Sequence, residues 1–153
     1  MREISESIDI DAPPRKVWPV VVHLRRHPEW NPIVSQARGV PLIGARLKAR
    51  LGSPEGRGVR LRARVTRYES GRTFRWVGHL GVPGLFGVEH THEVEPLPAG
   101  RTRHVVRQRF HGALVPLMGR VVDEARPSMM EANVNLKARV EDAQGDESAR
   151  TAA

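Results

Sequence analysis

The chain has 153 residues, the size of a single domain, and it contains no cysteine. Disulfides, thiolate metal sites and a cysteine nucleophile are therefore excluded. Its 25 lysines and arginines outnumber its 17 acidic residues and give a formal net charge of +8. No apolar run is long enough to span a membrane, and the N-terminal residues are too charged for a signal peptide, so we expect a cytoplasmic protein without a membrane span.

A basic chain raises the question of nucleic-acid binding. No block of five like charges occurs, and the three tryptophans are not interleaved with arginines as a base-stacking surface requires. Much of the basic charge alternates with apolar residues, as on the outer face of a sheet. We therefore expect no nucleic-acid partner. If the arginine-rich face instead contacts another kind of partner, that association should weaken steeply with salt.

The first predicted elements are a strand and a helix. Three isoleucines of one parity predict a strand over residues 4–10. Asp11 stands just before two prolines, a pattern that predicts a helix start at which the Asp11 side chain caps open N–H groups. The buried stripe of this helix consists of Val17, Trp18, Val21 and Val22. Residues 27–32 then predict a compact turn or short helix between two prolines.

From about Ser35 to Phe110 the apolar period changes to two, which predicts an antiparallel meander with one wet and one buried face. Turn signals separate the strands at residues 52–56, 70–71 and 96–100. The outward parity carries Glu89, Glu93 and Glu95 on one strand and Arg103, Arg107 and Arg109 on the next. If these strands form a hairpin, the two rows make a solvated charge ladder that needs no catalytic explanation.

The C-terminal part of the chain has helical periodicity. Apolar residues recur every three or four positions from Leu114 to about Ala143 and predict one long helix. Pro127 lies inside it and predicts a bend or break near Arg126. Residues 144–153 have no apolar period and predict a disordered tail. The expected organisation is thus a single domain over residues 1–143 followed by that tail.

Several short motifs occur together in this order. They are Ile8-Asp9-Ile10-Asp11-Ala12-Pro13-Pro14 with Val17-Trp18, then Pro28-Glu29-Trp30-Asn31-Pro32, Gly44-Ala45-Arg46-Leu47, Phe74-Arg75-Trp76, Gly84-Leu85-Phe86 before Glu89-His90, and Leu136-Lys137-Ala138-Arg139-Val140-Glu141. Over about residues 4–142 the sequence resembles the START-like (SRPBCC) superfamily, and within it the polyketide cyclase/dehydrase-type branch. The matched motifs are mainly architectural, so no catalytic residue is carried over from the resemblance.

The resemblance implies an α+β helix-grip fold, in which a curved antiparallel sheet wraps around a long C-terminal helix and encloses an internal cavity. Members of the superfamily bind lipids, hormones, pigments or polyketide intermediates, and some cyclise or dehydrate what they bind. A small hydrophobic molecule is therefore the expected partner, and the chain could be a monomer or a homodimer.

Aromatic and polar side chains on the buried parity are the candidate ligand-binding residues, because small-molecule sites combine apolar walls with a few convergent polar groups. The candidates are Trp30, Asn31, Trp76, His104, Gln108 and Met129, with Asn133 on the same helix as Met129. Each has a structural alternative. Trp76 could be a wall of the core, the Trp30-Asn31 pair could be a turn in which the amide bonds backbone, and Met129 could be ordinary packing.

His90 and His92 lie on one strand face and are the candidate catalytic residues, since a partly buried imidazole can act as general acid or base near neutral pH. The alternative is that they only donate hydrogen bonds to a ligand or neighbour. Their spacing also resembles the His-X-His of cupins, but Glu93 and Glu95 have outward parity and no inner carboxylate completes a metal site. We therefore expect neither a metal nor a cofactor.

The four glycines between residues 78 and 87 fit two interpretations, a lid over the cavity mouth with Pro127 at the opposite lip or a packed hairpin end. Two functional hypotheses follow for the whole chain. It is either a carrier that binds a small hydrophobic, lipid- or polyketide-like ligand, or a polyketide cyclase/dehydratase that uses cavity histidines for proton transfer. Whether it is an enzyme stays open at this point.

Overall fold

The computed structural model describes residues 1–52 and 58–152. The strands are β1 (Arg2–Ile10), β2 (Val34–Arg38), β3 (Arg46–Leu51), β4 (Val59–Glu69), β5 (Thr73–Leu80), β6 (Phe86–Leu97) and β7 (Arg101–His111). The helices are α1 (Pro14–Val22), α2 (Gly119–Ala152) and three 3-10 helices at Leu24–Glu29, Pro98–Gly100 and Val115–Leu117. Apart from Gly52, the turn predicted at residues 52–56 lies outside the described residues.

The seven strands form one antiparallel sheet in the order β1-β7-β6-β5-β4-β3-β2. The sheet curls around α2, which confirms the predicted helix-grip architecture. The predicted β6–β7 hairpin is also present, with Glu89 opposite Arg109 and Glu95 opposite Arg103. Exposed cross-strand pairs of this kind contribute about 0.2–1 kcal/mol each, so the outer ladder supports the sheet only modestly.

Helix α1 buries three residues of its predicted stripe, Val17, Trp18 and Val21, whereas the fourth, Val22, is half-buried. The predicted cap is wrong. The helix begins after Pro13 without a side-chain cap, and the carboxylate of Asp11 instead accepts a hydrogen bond from Arg101 Nε at 2.6 Å. Asp11 lies just beyond the end of β1, beside the start of β7, where an arginine competes for its carboxylate.

Helix α2 differs from the prediction at three places. It starts at Gly119, because residues 115–117 form a 3-10 turn around Pro116. It continues through Pro127, since the turns on both sides bury apolar residues against the same sheet. It also extends to Ala152, where a disordered tail is predicted. Gln144 donates to the Asp11 carbonyl at 2.9 Å and Lys16 pairs with Glu147, so polar contacts with α1 and its N-terminal junction hold this apolar-poor segment.

The core lies between α2 and the inner face of the sheet, in two clusters. One cluster joins α1 to the later part of α2 around Phe74 and Leu136, both fully buried. The other surrounds the earlier part of α2, with Phe86, Phe110 and Val122. No helix in the described part of the chain has both the length and the apolar composition needed to cross a membrane.

Candidate ligand site

A cavity of about 320 Å³ lies between the inner face of the sheet, α2 and the segment that starts with the 3-10 helix Leu24–Glu29. Much of its wall is apolar, with Leu61, Leu80, Phe86, Val88, Val106, Phe110 and Ala125 among the lining residues. All nine residues singled out from the sequence contribute to the wall: Trp30, Asn31, Trp76, His90, His92, His104, Gln108, Met129 and Asn133. Strand parity accounts for five of these side chains, whereas Trp30, Asn31, Met129 and Asn133 reach the cavity from α2 and from the segment that starts with the 3-10 helix; the roles of all of them remain predictions.

The strand register explains why the polar residues meet. His90 lies directly opposite Trp76 on β5 and Gln108 on β7, and its ring stacks on Trp76 with centroids 4.9 Å apart. His92 follows two residues later on the same face and stacks on Phe74. On the neighbouring strand β7, His104 is a diagonal neighbour of His92, a spacing that long side chains can bridge.

These residues form one continuous row of hydrogen bonds, which we call the histidine chain (Gln108, His90, His92, His104 and Asn133). Gln108 Nε2 is 2.9 Å from His90 Nδ1, and His90 Nε2 is 3.0 Å from His92 Nε2. His92 Nδ1 is 3.0 Å from His104 Nε2, and His104 Nδ1 is 2.8 Å from Asn133 Oδ1. All six ring nitrogens are therefore used within the row and pair in sequence rather than converging on one point.

Burial keeps the three histidines of the chain neutral. Desolvation, with a smaller contribution from neighbouring imidazoles, lowers the pKa of His90 to about 3 and holds the pKa of His92 well below its usual range. Desolvation also lowers the pKa of His104 to about 4, although its hydrogen bond to Asn133 opposes the shift. Each ring at neutral pH consequently carries one N–H and one lone pair.

Neutral rings and the Asn133 oxygen at one end give the chain a single direction. Asn133 Oδ1 can only accept, so His104 carries its proton on Nδ1 and must accept at Nε2 from His92 Nδ1–H. His92 Nε2 then accepts from His90 Nε2–H, and His90 Nδ1 accepts from the Gln108 amide. At the two ends of the histidine chain, one polar group each is not used by these hydrogen bonds. These groups are the Gln108 carbonyl oxygen, an acceptor, and the Asn133 NH2 group, a donor.

Two buried donors on the cavity wall lack acceptors. Asn133 Nδ2 and Trp30 Nε1 have no hydrogen-bond partner in the part of the chain that the structure describes, although both side chains are at most 3% exposed. A buried donor without an acceptor costs about 1–3 kcal/mol. An acceptor atom supplied by a bound molecule would remove that cost.

The sequence interpretation missed His27, which also lines the cavity. Its Nε2 donates to the Val21 carbonyl at 2.7 Å, and burial lowers its pKa to about 4. The ring packs against Trp30 and His92, with centroids 4.8 and 6.0 Å away. The one sequence signal for a buried role of His27 is its position in the compact turn predicted at residues 27–32.

In the same segment, Asn31 fits both of its predicted interpretations, as a cavity residue and as a turn residue. It lines the cavity, while its Oδ1 accepts a hydrogen bond from Ile33 N at 3.1 Å.

The glycine-rich segment at residues 78–87 has the geometry of a packed hairpin end. Strands β5 and β6 account for both of its ends, and only residues 81–85 form the connection. Gly84 and Leu85 accept backbone hydrogen bonds from Ala113 and Leu114 at 3.1 and 2.9 Å. These bonds fasten the connection to the segment after β7, which favours the hairpin interpretation over a free lid.

Comparison with solved structures supports the architecture. An aromatase/cyclase, ZhuI, from Streptomyces sp. R1128 matches with a TM-score of 0.71 and 15% identity, covering 92% of this chain and 93% of that chain. A START superfamily protein from Mycobacterium smegmatis matches with a TM-score of 0.70 and 17% identity, covering 92% and 98%. A protein from Thermus thermophilus gives a TM-score of 0.73 and 19% identity, covering 93% and 99%. At these identities the likeness concerns the fold.

No curated protein matches the sequence significantly. A family model does, and it covers residues 1–141, nearly the whole domain around the cavity. The START-like, SRPBCC resemblance of the sequence is thereby confirmed. The chain belongs to the family described as polyketide cyclase/dehydrase and lipid transport.

Proposed function

We propose that the chain binds a small hydrophobic molecule that carries at least one oxygen acceptor. The observation that carries this proposal is the histidine chain, a single row of neutral polar groups set into the wall of a largely apolar cavity of about 320 Å³. Apolar walls favour a hydrophobic ligand body, and a few fixed polar groups orient it.

The two unsatisfied donors support the acceptor on the ligand. Asn133 Nδ2 and Trp30 Nε1 both belong to residues of the cavity wall. A carbonyl or phenolic oxygen accepts hydrogen bonds from such donors, whereas a pure hydrocarbon would leave them unpaired. The Gln108 carbonyl at the other end of the histidine chain is a complementary acceptor for a ligand hydroxyl.

Mass spectrometry of the freshly purified protein tests this proposal directly. We expect the native spectrum to show a mass excess that disappears on denaturation, and the released molecule to be apolar and to contain oxygen. A released metal ion or a strongly polar metabolite would contradict the proposal.

Binding of the neutral fluorophore phenylnaphthylamine provides a second test. Its emission should rise saturably with the wild-type protein. Ala125→Phe places a ring in the cavity and should abolish the rise, whereas Ala143→Phe, at an exposed position of the same helix, should leave it intact. Equal binding by both folded variants would show that the probe does not occupy the cavity.

A cyclase/dehydratase activity is the second candidate function, and the continuity of the histidine chain favours it. Imidazoles whose nitrogens lie 3.0 Å apart can pass a proton by exchanging tautomers. A substrate that replaces the Gln108 amide would give its proton to His90 Nδ1, the N–H protons would shift along the row, and His104 Nδ1–H, released from Asn133, would return a proton to the substrate. In this candidate His90 and His92 move the proton, while Trp76 and the apolar wall hold the substrate.

Substitution of His92 separates the two functions. If the histidine chain is catalytic, His92→Ala should abolish turnover of a poly-β-carbonyl substrate while binding changes little. If the histidine chain only contacts the ligand, the same change should weaken binding, and the wild-type protein should show no turnover. Thermal melting of the variant controls for loss of folding.

A further inference from the structure

The outer face of strands β2, β3 and β4 carries an unusual concentration of positive charge. Seven exposed cations, which we call the cationic face, share this side of the sheet: Arg38, Arg46, Lys48, Arg50, Arg60, Arg62 and Arg64. The register of β3 and β4 places three pairs of like charges directly opposite each other, namely Arg46 and Arg64, Lys48 and Arg62, and Arg50 and Arg60. The register of β2 and β3 adds a fourth pair, Arg38 and Lys48. Like charges in that position destabilise a sheet.

Within residues 1–52 and 58–152, none of these seven cations forms an ion pair. The segment 53–57 contains one acidic and one basic residue, so it does not change the balance. The other end of the same sheet differs. There the arginines are matched by acids, in the pairs Arg103 with Asp9, Arg107 with Glu93 and Arg109 with Glu3. The excess charge is therefore local to β2–β4.

An exposed apolar loop adjoins the cationic face. Residues 39–45 connect β2 to β3 and carry three bulky aliphatic side chains, Val40, Leu42 and Ile43, which are 55%, 59% and 69% exposed. Arg38 and Arg46 flank the loop on either side. Backbone hydrogen bonds between residues 44–45 and Val65 of β4 fix the loop to the sheet. We call residues 39–45 the apolar loop.

We propose that the cationic face and the apolar loop form a docking surface for a lipid bilayer that contains anionic phospholipid. Clustered arginines attract anionic headgroups, and aliphatic side chains gain by entering the region of the acyl chains. A nucleic acid would satisfy the arginines, but it offers no apolar region for Leu42 and Ile43, and the loop has no aromatic side chain on which bases could stack. The proposal does not depend on what occupies the cavity.

Vesicle sedimentation tests the proposal with the full chain. We expect binding to phosphatidylcholine vesicles that contain phosphatidylglycerol, little binding to phosphatidylcholine alone, and a loss of binding as NaCl increases. Each cation near the surface contributes about 1 kcal/mol, which is about a fivefold change in partition coefficient. Arg46→Ser with Arg64→Ser should therefore weaken binding by about twenty-five-fold, and Leu42→Ser with Ile43→Ser by about tenfold or more.

Two matched variants control for net charge and for apolar content. Arg107→Ser with Arg109→Ser removes the same charge from the far end of the sheet, and Met130→Ser with Val134→Ser removes exposed apolar residues from α2. Both should retain wild-type binding within about twofold. Arg107 and Arg109 lie on β7, which two strands separate from β4, and at physiological salt the Debye length is only about 8 Å. Met130 and Val134 lie on α2 and not on the apolar loop. Thermal melting verifies folding of every variant.

Three outcomes would overturn the proposal. These are equal binding to vesicles with and without phosphatidylglycerol, unchanged binding of the Arg46/Arg64 variant, and equal losses in the control variants. Binding to duplex DNA that is tighter than binding to anionic vesicles, and that is insensitive to Leu42→Ser with Ile43→Ser, would instead identify a nucleic-acid surface.

Discussion

His92 stands at the centre of the histidine chain, with another imidazole on each of its ring nitrogens. Such a row remains satisfied only while its members stay neutral, because a charged imidazole has two donors and no lone pair. A second proton on any ring would turn one of the hydrogen bonds into a donor–donor contact. The hydrogen bonds of the histidine chain are therefore stable only at a pH at which its imidazoles are neutral.

We therefore expect the protein to lose stability in mild acid. The pKa of an unfolded histidine is about 6.5, whereas burial lowers the pKa of His90 to about 3 and the pKa values of His27 and His104 to about 4. Between these values the unfolded chain binds more protons than the folded chain. The stabilisation is complete above about pH 6.5 and is lost as the pH falls toward 4, by up to about 1.4 kcal/mol per pH unit for each histidine.

Urea denaturation at a series of pH values measures this slope. His92→Gln removes one of the buried imidazoles and should make the slope shallower. A free energy of unfolding that stays flat from neutral pH to pH 5 would show that the four histidines are not buried in neutral form.

The donor-to-acceptor direction of the hydrogen bonds in the histidine chain can be measured from the tautomers of its imidazoles. ¹⁵N NMR spectra at neutral pH should show His90 as the Nε2–H tautomer and both His92 and His104 as Nδ1–H tautomers. Asn133→Leu leaves His104 Nδ1–H without an acceptor, at a cost of about 1–3 kcal/mol, but it also removes the unpaired Asn133 Nδ2 donor, so the free energy of unfolding should fall by less than that cost. Val134→Leu, one residue later and exposed, should change it little. Observation of His104 as an Nε2–H tautomer in the wild type would reverse the proposed direction.

Alternation along β5, β6 and β7 was sufficient to predict that Trp76, His90, His92, His104 and Gln108 share one face, because side chains on a strand alternate strictly. The hydrogen bonds between them could not be predicted in the same way. They depend on the relative register of β6 and β7 and on the approach of α2, which brings Asn133 to His104. His27 escaped prediction because the 3-10 helix Leu24–Glu29 has only six residues, too few for the three-residue period of its buried Leu24 and His27 to stand out in the sequence.

At the scale of elements, α2 is held by one narrow apolar face. Leu136 is fully buried in the core, whereas Val134, two positions earlier, is 57% exposed. We expect Leu136→Ala to destabilise the protein by about 2–5 kcal/mol, since it leaves a cavity that the sheet cannot fill. Val134→Ala should change the free energy of unfolding by less than about 0.5 kcal/mol. Urea denaturation of both variants compares them, and similar values would contradict the observed orientation of α2.

Helix α2 also shows what periodicity cannot supply. The apolar residues up to Val140 predicted a helix packed on the sheet, and the structure confirms it. Its continuation beyond residue 143 rests on polar contacts of Gln144 and Glu147 with Asp11 and Lys16, which lie far away in sequence. Pro127 likewise gave a local signal for a break, but burial of Ala125 and Met129 on either side keeps both halves in one helix.

The whole molecule has an uneven charge distribution, with the net charge of +8 concentrated on the cationic face. Repulsion across that face should make the protein more stable as salt screens it. Urea, which is uncharged, can measure the free energy of unfolding at increasing NaCl. Arg62→Glu, opposite Lys48, should add about 0.2–1 kcal/mol at low salt and reduce the salt effect. A wild-type stability that falls with salt would show that ion pairs elsewhere dominate.

The pairing of the first strand with the last has a consequence for how the protein is made. Strand β1 leaves the ribosome first, yet its neighbour is β7, with Arg2 opposite Phe110. The hairpins from β3 to β6 can form while synthesis proceeds, but β1 must wait until β7 emerges. Contacts so distant in sequence close a long loop at an entropic cost and slow folding. Because β7 carries His104 and Gln108, the nascent chain completes the wall of the cavity only in the last stage of folding.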